Sequence, residues 1–285
     1  MNTIKEKIKE NEFIHKCVKN AKCIYRVIIG RSLFDIGGCV RDISTSRDDN
    51  LKKLSMYKDK YLEKNKRAFI IATGPSLTTD DLDRLKSEIT FSVNGIFQLF
   101  ERTAWRPTYY GIIDEFVYKR YVENGMSIDF DNIATDGAFV DISMKKLLLE
   151  NSASLNKVSF VSVFHFDHYV DFESRHFAYT TDLIRGHYST WTVTNFAINL
   201  ATFMGIKEIY LLGVDCSYTG KKQYVNGVID PKAMSQDAAY RTQQKMIDSY
   251  KFINKELCKR GIKVYNATRG GELEVFERVD FDSLF

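Results

Sequence analysis

Apolar residues in this chain fall into short runs that are separated by polar and glycine-containing segments. One run, Ala68–Ala72, leads into Thr73-Gly74-Pro75-Ser76 and then into Asp80-Asp81. This succession predicts a buried strand, a tight loop and the start of a helix. Runs of the same kind predict five further strands, at Ile89–Val93, Thr108–Ile113, Lys157–Val163, Glu208–Leu212 and Lys263–Asn266.

Residues with helical spacing lie between these strands, at about 80–87, 192–204 and 236–260. Strands that alternate with helices indicate a Rossmann-like α/β fold with a doubly wound, mainly parallel sheet. We therefore predict one nucleotide-binding α/β domain over residues 67–285. The chain has no run of about twenty apolar residues and no secretory signal, so we expect a cytoplasmic protein.

The N-terminal segment, residues 1–66, has a different character. Between Ile4 and Ile28, apolar residues recur at helical spacing with lysines among them, which predicts one or two amphipathic helices. A polar stretch that contains Gly37-Gly38 predicts a loop over 36–50, and a lysine- and tyrosine-rich helix is expected at about 51–64. We therefore predict a basic helical appendage before the α/β domain.

Positive charge is concentrated in this segment. The whole chain has a formal net charge of +4, yet residues 1–67 hold 17 lysines and arginines against 9 aspartates and glutamates. The excess has three interpretations: a solvated helix face, a contact with the anionic inner surface of a membrane, and a nucleic-acid contact. The last is disfavoured because the segment carries no nucleic-acid-binding motif. The five cysteines show no zinc-type spacing, so we expect a reduced compartment and no metal site.

Polar residues stand at the carboxyl ends of the predicted strands, where open α/β sheets bind their ligands. The loop after the first strand is suited to a phosphate, because Gly74 lets the backbone come close and the following helix start attracts negative charge. A turn that merely connects strand and helix is the alternative. The candidate substrate-binding residues at the strand ends are Thr73, Gly74, Pro75, Ser76, Asn94, Asp114, Asp215 and Asn266.

A family resemblance becomes specific in the segment from Thr192 to Asp215, which reads as a helix, a glycine stop at Gly205, a strand and an acidic tip. The segment resembles the corresponding unit of the bacterial sialyltransferases of glycosyltransferase family 42. It is also similar to the related flagellin-modifying, motility-associated-factor glycosyltransferases and to the hydroxymethylpterin diphosphokinase-like domain. Ile70–Leu77 and Asn94 match in order and spacing, so the resemblance covers about 67–270.

This resemblance implies a sialyltransferase-like variant of the GT-A fold and a donor activated by cytidine monophosphate (CMP). By it, Gly74 and Asn94 would contact the phosphate and sugar of the donor, and Thr192 and Thr194 would lie near the donor sugar. The family's Thr-Ser-Gly is replaced here by Thr192-Val193-Thr194. One donor-side hydroxyl is therefore moved or lost, and the sugar is open to change.

Two tyrosines six residues apart follow the acidic tip in the sialyltransferases, and this chain has Tyr218 and Tyr224 at that spacing. By the resemblance, both would hydrogen-bond the departing phosphate. Fixed hydroxyl donors stabilise the negative charge that builds there without a metal. For each tyrosine, an ordinary half-buried aromatic is the alternative interpretation.

The residue that activates the acceptor is harder to assign. The sialyltransferase general base is a histidine beyond the second tyrosine, but residues 225–260 contain none. Among the carboxylates of that stretch we prefer Asp237. His187, which precedes the helix at Thr192, is a further catalytic candidate. His165 and His168 follow the strand that ends at Val163, and each either faces the cleft or has a structural role.

The resemblance implies a metal-independent, inverting glycosyltransferase that uses no cofactor. It would move sialic acid or another nonulosonic acid from a CMP-activated donor to a glycan hydroxyl in bacterial surface polysaccharide or glycoconjugate synthesis. The basic N-terminus would contact the inner membrane face, and a homo-oligomer is left open. A second hypothesis is an ATP- and magnesium-dependent, hydroxymethylpterin diphosphokinase-like enzyme whose metal is held by Asp114 and Asp215. A third is an inactive nucleotide-sugar-binding protein.

Overall fold

The computed structural model describes residues 17, 18, 21, 25–151, 153–165, 177–217, 224–228 and 236–285. Within these residues the strands are β1 (Arg67–Ile71), β2 (Ile89–Val93), β3 (Tyr109–Ile112), β4 (Gly137–Asp141), β5 (Val158–Val161), β6 (Val163–His165), β7 (His187–Ser189), β8 (Glu208–Leu212), β9 (Lys263–Asn266) and β10 (Glu277–Arg278). Eight of them form one sheet in the order β10-β9-β8-β1-β2-β3-β4-β5. All neighbouring strands in it are parallel.

Helices connect the strands. A π-helical turn (Arg26–Gly30) runs into the α-helix that begins at Arg31, and short 3₁₀ helices follow β2 (Asn94–Leu99), follow β4 (Ile142–Met144) and lie near the end of the sequence (Phe281–Leu284). The α-helices are α1 (Arg31–Ser44), α2 (Asp49–Ser55), α3 (Thr79–Arg84), α4 (Glu115–Glu123), α5 (Lys145–Glu150), α6 (Val193–Phe203) and α7 (Gln236–Cys258).

The sheet is covered on both faces, because successive strand residues point to opposite sides. In β1, Ala68 and Ile70 belong to one core with residues of α2, α6 and α7. Phe69 and Ile71 belong to the other core, with residues of α3, α4 and α5. A strand buried on both faces reads as a continuous apolar run, which is the pattern that predicted β1.

The order of the strands reverses between β1 and β8. Strands β2 to β5 extend to one side of β1, whereas β8, β9 and β10 extend to the other. The loops that leave two strands at such a reversal diverge, and a crevice opens outside their carboxyl ends. This architecture confirms the predicted α/β fold with a doubly wound, parallel sheet.

The single strand predicted at Lys157–Val163 is wrong in one respect, because the chain changes sheet within it. Strand β5 pairs with β4, and β6 pairs with β7 in a separate two-stranded sheet. The carbonyl of Ser162, between the two strands, accepts a hydrogen bond of 2.8 Å from the backbone N–H of His187. The chain thus leaves the large sheet at Ser162, and β6 lies beside β7.

The loop predicted over 36–50 is also wrong, since most of it is the second half of α1. Gly38 does not break this helix but lets it approach the main chain of Arg185. A Cβ atom on residue 38 would lie 3.1 Å from the Arg185 carbonyl oxygen. Arg41 adds a hydrogen bond of 3.2 Å from Nε to the carbonyl of Ile184. Gly38 therefore serves a close contact of the helix.

The rest of the N-terminal segment is described in part. The helices predicted between Ile4 and Ile28 lie largely outside the described residues. The helix expected at about 51–64 ends earlier, because α2 stops at Ser55 and turns follow. Leu51 and Leu54 of α2 are buried in the core beside α6. None of the helices in the described part of the chain is long and apolar enough to cross a membrane.

Candidate active site at the sheet reversal

The loop after β1 is fitted closely against the end of β8. The backbone N–H of Gly74 donates a hydrogen bond of 2.8 Å to the carbonyl of Gly213. A Cβ atom on residue 74 would lie 1.9 Å from Oδ2 of Asp215 and 2.5 Å from the Gly213 carbonyl oxygen. Only glycine fits there without a shift of one of the two strand ends.

Asp215, at the end of β8, is a buried carboxylate with defined partners. Oγ of Ser76 donates a hydrogen bond of 2.9 Å to its Oδ2. Burial raises the pKa of the Asp215 carboxyl above its usual value, and the bond from Ser76 acts in the opposite direction. The N–H of Glu272 donates to the Asp215 carbonyl at 2.7 Å, which ties in the C-terminal glycine turn.

Three non-glycine residues around this crevice have left-handed backbone conformations. The φ angles are 48° at Asn94, 51° at Trp191 and 50° at Cys216. Asparagine tolerates this region, but tryptophan and cysteine do so only when the surrounding structure enforces it. Such strain clusters at functional sites. Among the described residues, Oδ1 of Asn94 is buried and has no hydrogen-bond partner.

The N-terminus of α6 contributes the opposite wall. Thr192 is its N-cap, and its Oγ1 accepts a hydrogen bond of 3.2 Å from the N–H of Thr194. The same hydroxyl lies 3.3 Å from the hydroxyl of Tyr250, whose pKa is raised by burial. Backbone N–H groups in the first turn of a helix lack intrahelical partners and attract an anion.

These features meet in one cleft at the β1/β8 reversal, which we call the reversal cleft. Seven residues predicted from the sequence line it together: Thr73, Gly74, Asn94, Thr192, Thr194, Asp215 and Tyr224.

Two predicted residues are fixed by other contacts. Asn266 is fully buried, and its amide donates to the carbonyl of Leu273 at 2.7 Å while its Oδ1 accepts from the N–H of Thr268 at 3.0 Å. His187 is buried beside α6, with Nδ1 at 2.9 Å from the amide nitrogen of Asn199. Neither lines the reversal cleft.

Four other predicted residues have different outcomes. Pro75 and Ser76 belong to the loop after β1 but do not line the reversal cleft, and Ser76 acts through Asp215. Tyr218 lies outside the described residues. Asp237 falls in the first turn of α7, and its side chain is outside the described part of the structure. Their assigned roles stay predictions.

The start of α3, which was expected to attract a phosphate, is capped by side chains of its own first turn. Thr78 and Asp81 form a capping box at the start of α3, with bonds of 3.1 Å and 3.2 Å. Asp81 also binds Nη1 of Arg269 at 2.6 Å. Because an acidic side chain already occupies this terminus, the favourable helix end for an anion in the reversal cleft is that of α6.

The carboxylate pair expected to hold a metal is not brought together. Asp114 follows β3 and Asp215 follows β8, and β1 and β2 lie between these strands. The two side chains line separate clefts. Within the described residues, no three His, Cys, Asp or Glu side chains converge as a metal site requires. The prediction that the two strand ends are neighbours is therefore wrong.

A second cleft lies at the same edge of the sheet, where β3, β4 and β6 end. Nε2 of His165 lies 2.6 Å from Oδ2 of Asp141 in it, and Asp114 lines it as well. The sequence analysis did not single out Asp141, because β4 itself was not predicted. It also missed Met246 and Tyr250 of α7, which line the reversal cleft but carry only the spacing of a buried helix face.

Comparison with known protein families gives one match. A family model described as 6-hydroxymethylpterin diphosphokinase MptE-like matches residues 45–221 and confirms the predicted resemblance to that domain. No curated protein matches the chain.

Two solved structures are similar to it. The MAf glycosyltransferase from Magnetospirillum magneticum AMB-1 has 15% sequence identity and a TM-score of 0.47, over 78% of this chain and 34% of that chain. This chain therefore spans about a third of its length. The sialyltransferase CstII from Campylobacter jejuni, in complex with the substrate analogue CMP-3FNeuAc, has 16% identity and a TM-score of 0.41, over 75% of this chain and 86% of that chain.

Proposed function

Since this chain belongs to the 6-hydroxymethylpterin diphosphokinase MptE-like family, we propose that it is an enzyme with a phosphate-containing substrate in the reversal cleft. Specifically, it transfers sialic acid or another nonulosonic acid from a CMP-activated donor to a glycan hydroxyl. One observation carries this proposal: the glycine loop after β1, the N-terminus of α6 and Tyr224 line a single cleft at the sheet reversal. That is where open α/β sheets bind nucleotides.

The charges in the cleft suggest how a donor would lie. The Asp215 carboxylate would repel a phosphate at its own end of the cleft, whereas the N-terminus of α6 would attract one. The phosphate therefore belongs beside Thr192–Thr194. The Asp215 carboxylate then accepts hydrogen bonds from sugar hydroxyls, and the buried Oδ1 of Asn94 is a second acceptor for them.

Tyr224 supplies a hydroxyl donor for the leaving phosphate. When the bond between the sugar and the phosphate breaks, negative charge builds on the phosphate oxygens, and a fixed O–H group stabilises that charge. Tyr218 would act with it, as the spacing of the two tyrosines suggests.

A panel of nucleotides tests the donor. A ligand that binds only the folded protein raises its thermal unfolding midpoint in proportion to the logarithm of its concentration over Kd. We expect CMP to raise the midpoint of the full chain and ATP, with or without Mg²⁺, to leave it unchanged. UMP and GMP are the matched controls. Release of CMP from CMP-sialic acid without Mg²⁺ is the activity expected, and a midpoint raised by Mg²⁺-ATP alone would contradict it.

The family description favours a second candidate, a diphosphokinase that transfers a diphosphate from Mg²⁺-ATP to a hydroxyl. Such an enzyme needs carboxylates near the phosphates to hold the metal. Asp215 is the described carboxylate that lines the reversal cleft. Release of AMP from ATP that depends on Mg²⁺ would support this candidate. CMP release at no more than the spontaneous rate, unaffected by replacing both Tyr218 and Tyr224 with Phe, would instead support a nucleotide-sugar-binding protein without catalysis.

We also propose that the N-terminal segment contacts an anionic membrane surface. The outer face of α1 carries four exposed apolar side chains at helical spacing, and Ile43 is 82% exposed. A face of this kind inserts at a lipid interface when basic residues accompany it, and residues 1–67 carry the basic excess of the chain. The four side chains are those of Leu33, Ile36, Val40 and Ile43.

Vesicle co-sedimentation tests this contact. The full chain should bind vesicles that contain phosphatidylglycerol more strongly than vesicles of phosphatidylcholine alone, and added salt should weaken the binding. Replacement of Ile36 and Val40 by Glu should reduce it, while Leu149→Glu, at an exposed position of α5, should not. Equal binding by all three proteins would refute the contact. A dimer dissociated by the Ile36 and Val40 changes, without vesicle binding, would identify the face as a self-association surface.

A further inference from the structure

The second cleft contains a histidine and a carboxylate in direct contact. Nε2 of His165, at the end of β6, lies 2.6 Å from Oδ2 of Asp141, at the end of β4. The Asp141 side chain is 2% exposed, whereas that of His165 is 17% exposed. The ring is therefore held from the protein side by a buried carboxylate and still reaches the cleft, which it lines together with Asp114 and Lys119.

Asp141 is fixed in a single orientation. Its Oδ1 accepts a hydrogen bond of 3.1 Å from the N–H of Ser143 and so caps the 3₁₀ helix that follows β4. Its Oδ2 faces His165. Because a carboxylate accepts and does not donate, it fixes the ring proton on Nε2, and Nδ1 becomes the nitrogen able to take a proton. A carboxylate orients a catalytic histidine in this way in hydrolytic triads.

The strand register brings this pair close to the reversal cleft. Val93 is paired with Gly111, and Ile112 with Val140. Asn94 follows Val93 at the end of β2, and Asp141 follows Val140 at the end of β4. By this register the two residues are offset by only one residue along the strand direction at the carboxyl edge of the sheet. Two strand spacings separate them, or about 10 Å. A donor sugar that extends from the reversal cleft, with an acceptor hydroxyl beyond it, fills such a gap.

We propose that His165 is the general base of this enzyme, that Asp141 is its positioning residue, and that the second cleft binds the acceptor. Nδ1 of His165 takes the proton of the attacking hydroxyl, and the hydroxyl oxygen forms a bond to the anomeric carbon. The bond from that carbon to the phosphate oxygen breaks, and its electron pair leaves with CMP. The inference rests on the proposed function, because it takes the CMP-activated donor from there. Of the acceptor it requires only a hydroxyl group.

The other charged groups of the cleft have partners of their own. Glu115 and Lys119, both on α4, form an ion pair with each other. Asp114 accepts hydrogen bonds from the N–H groups of Phe116 and Val117 as the N-cap of α4. All three line the same cleft as His165. The nearby carboxylates favour the imidazolium that forms when the base takes its proton.

CMP release from CMP-sialic acid, with lactose as a probe acceptor, tests the proposal. His165→Gln should lower turnover about 100-fold or more, the usual range for loss of a general base. The thermal shift with CMP should stay unchanged. Azide attacks without losing a proton, so it should restore much of the CMP release in this variant. A residue with a merely structural role would not be rescued in this way.

The pH profile distinguishes the two residues. Wild-type turnover should rise with pH through an inflection that reports loss of the proton from His165, and His165→Gln should lack it. Asp141→Asn should lower turnover and move the inflection to lower pH, because the ring loses its anionic partner. Asp280→Asn is the matched control, since Asp280 also caps a 3₁₀ helix through the N–H two residues on. It should behave like the wild type.

The outcomes separate this inference from the function on which it rests. His165→Gln with the wild-type rate and inflection overturns the base assignment, and so does a loss that azide does not restore. If His165→Gln does not fold, the Asp141→Asn profile decides, and an unmoved inflection overturns the assignment. Wild-type protein that releases no CMP refutes the glycosyltransferase, and the same variants are then measured with Mg²⁺-ATP and hydroxymethylpterin. Wild-type protein inactive in both assays overturns both proposals.

Discussion

Gly74 lies against Asp215 so closely that a Cβ atom at residue 74 would be 1.9 Å from the carboxylate oxygen. The contact joins the ends of β1 and β8, the two strands between which the sheet order reverses. The Gly213 carbonyl, which accepts the Gly74 N–H, is 2.5 Å from the same Cβ position. A side chain at residue 74 would have to displace one of these two groups. The geometry of the reversal cleft therefore depends on the absence of one methyl group.

Gly74→Ala should lower both stability and nucleotide binding. The new methyl group has to displace Asp215 or the end of β8, and overpacking of this kind costs about 1–3 kcal/mol. The displaced carboxylate also loses its place opposite the N-terminus of α6. Thermal unfolding and the CMP-induced shift measure the two effects.

The matched control is Gly37→Ala in α1. A Cβ atom at residue 37 meets only the guanidinium of Arg41, at 3.2 Å, which is the far end of a flexible side chain. Alanine favours a helix interior over glycine by about 1 kcal/mol. We expect this variant to be as stable as the wild type or more so, with an unchanged CMP shift. Equal behaviour of the two variants would show that the Gly74 contact is not what shapes the cleft.

Tyr224→Phe should lower donor turnover and leave CMP affinity nearly unchanged. The hydroxyl stabilises charge that develops only as the sugar–phosphate bond breaks, so its removal should reduce kcat by about 10²-fold to 10³-fold. The comparison is Tyr240→Phe, the same change at an exposed position of α7. Steady-state CMP release with both variants measures the effect. A rise in KM alone would assign Tyr224 to ground-state binding.

The elements predicted best from the sequence are those whose signal is local. Glu208–Leu212 and Lys263–Asn266 are apolar runs bounded by polar residues, and both have the predicted bounds. Strand β4 (Gly137–Asp141) was not predicted, because its short run is set apart from neighbouring segments only by its pairing with β3 and β5. The α1 helix was misread because Gly37 and Gly38 resemble a turn in isolation, whereas the contact with Arg185 explains Gly38.

The residues of the candidate site were likewise predictable only where their signal is local in the sequence. Gly74, Asn94 and Asp215 end predicted strands, so the rule that ligands bind beyond carboxyl ends identified them. The contact between Asp141 and His165 joins residues 24 positions apart on strands of two different sheets. No spacing in the sequence encodes such a pair. Asp114 and Asp215 show the converse, since their similar positions at strand ends suggested a proximity that the strand order rules out.

Asp215→Asn should raise stability while it lowers activity. Burial raises the pKa of this carboxyl, so the ionised side chain destabilises the folded state at neutral pH. Asparagine is neutral, has nearly the same shape, and still accepts the hydrogen bond from Ser76. The unfolding midpoint at pH 7 should therefore increase, and the gain should shrink as the pH falls and the wild-type carboxyl is protonated.

The activity of Asp215→Asn should fall because the amide no longer offers two acceptor oxygens to the donor sugar. Asp48→Asn is the control, since Asp48 is exposed and caps α2 and asparagine is an equally good N-cap. That variant should change neither midpoint nor CMP release. A lower midpoint for Asp215→Asn would mean that the ionised carboxylate stabilises the fold.

The protein should lose stability above about pH 9, where the unfolded chain begins to release protons that the folded chain keeps. A group whose pKa is higher in the folded than in the unfolded protein contributes stability that is lost as the pH rises from its unfolded pKa to its folded pKa. The unfolding midpoint should thus fall steadily from pH 9 to pH 11. Tyr179→Phe should make the decline shallower and Tyr240→Phe should not, and a constant midpoint would contradict the burial of these groups. Burial raises the pKa to about 12 for Tyr179, Tyr188, Tyr210 and Cys216.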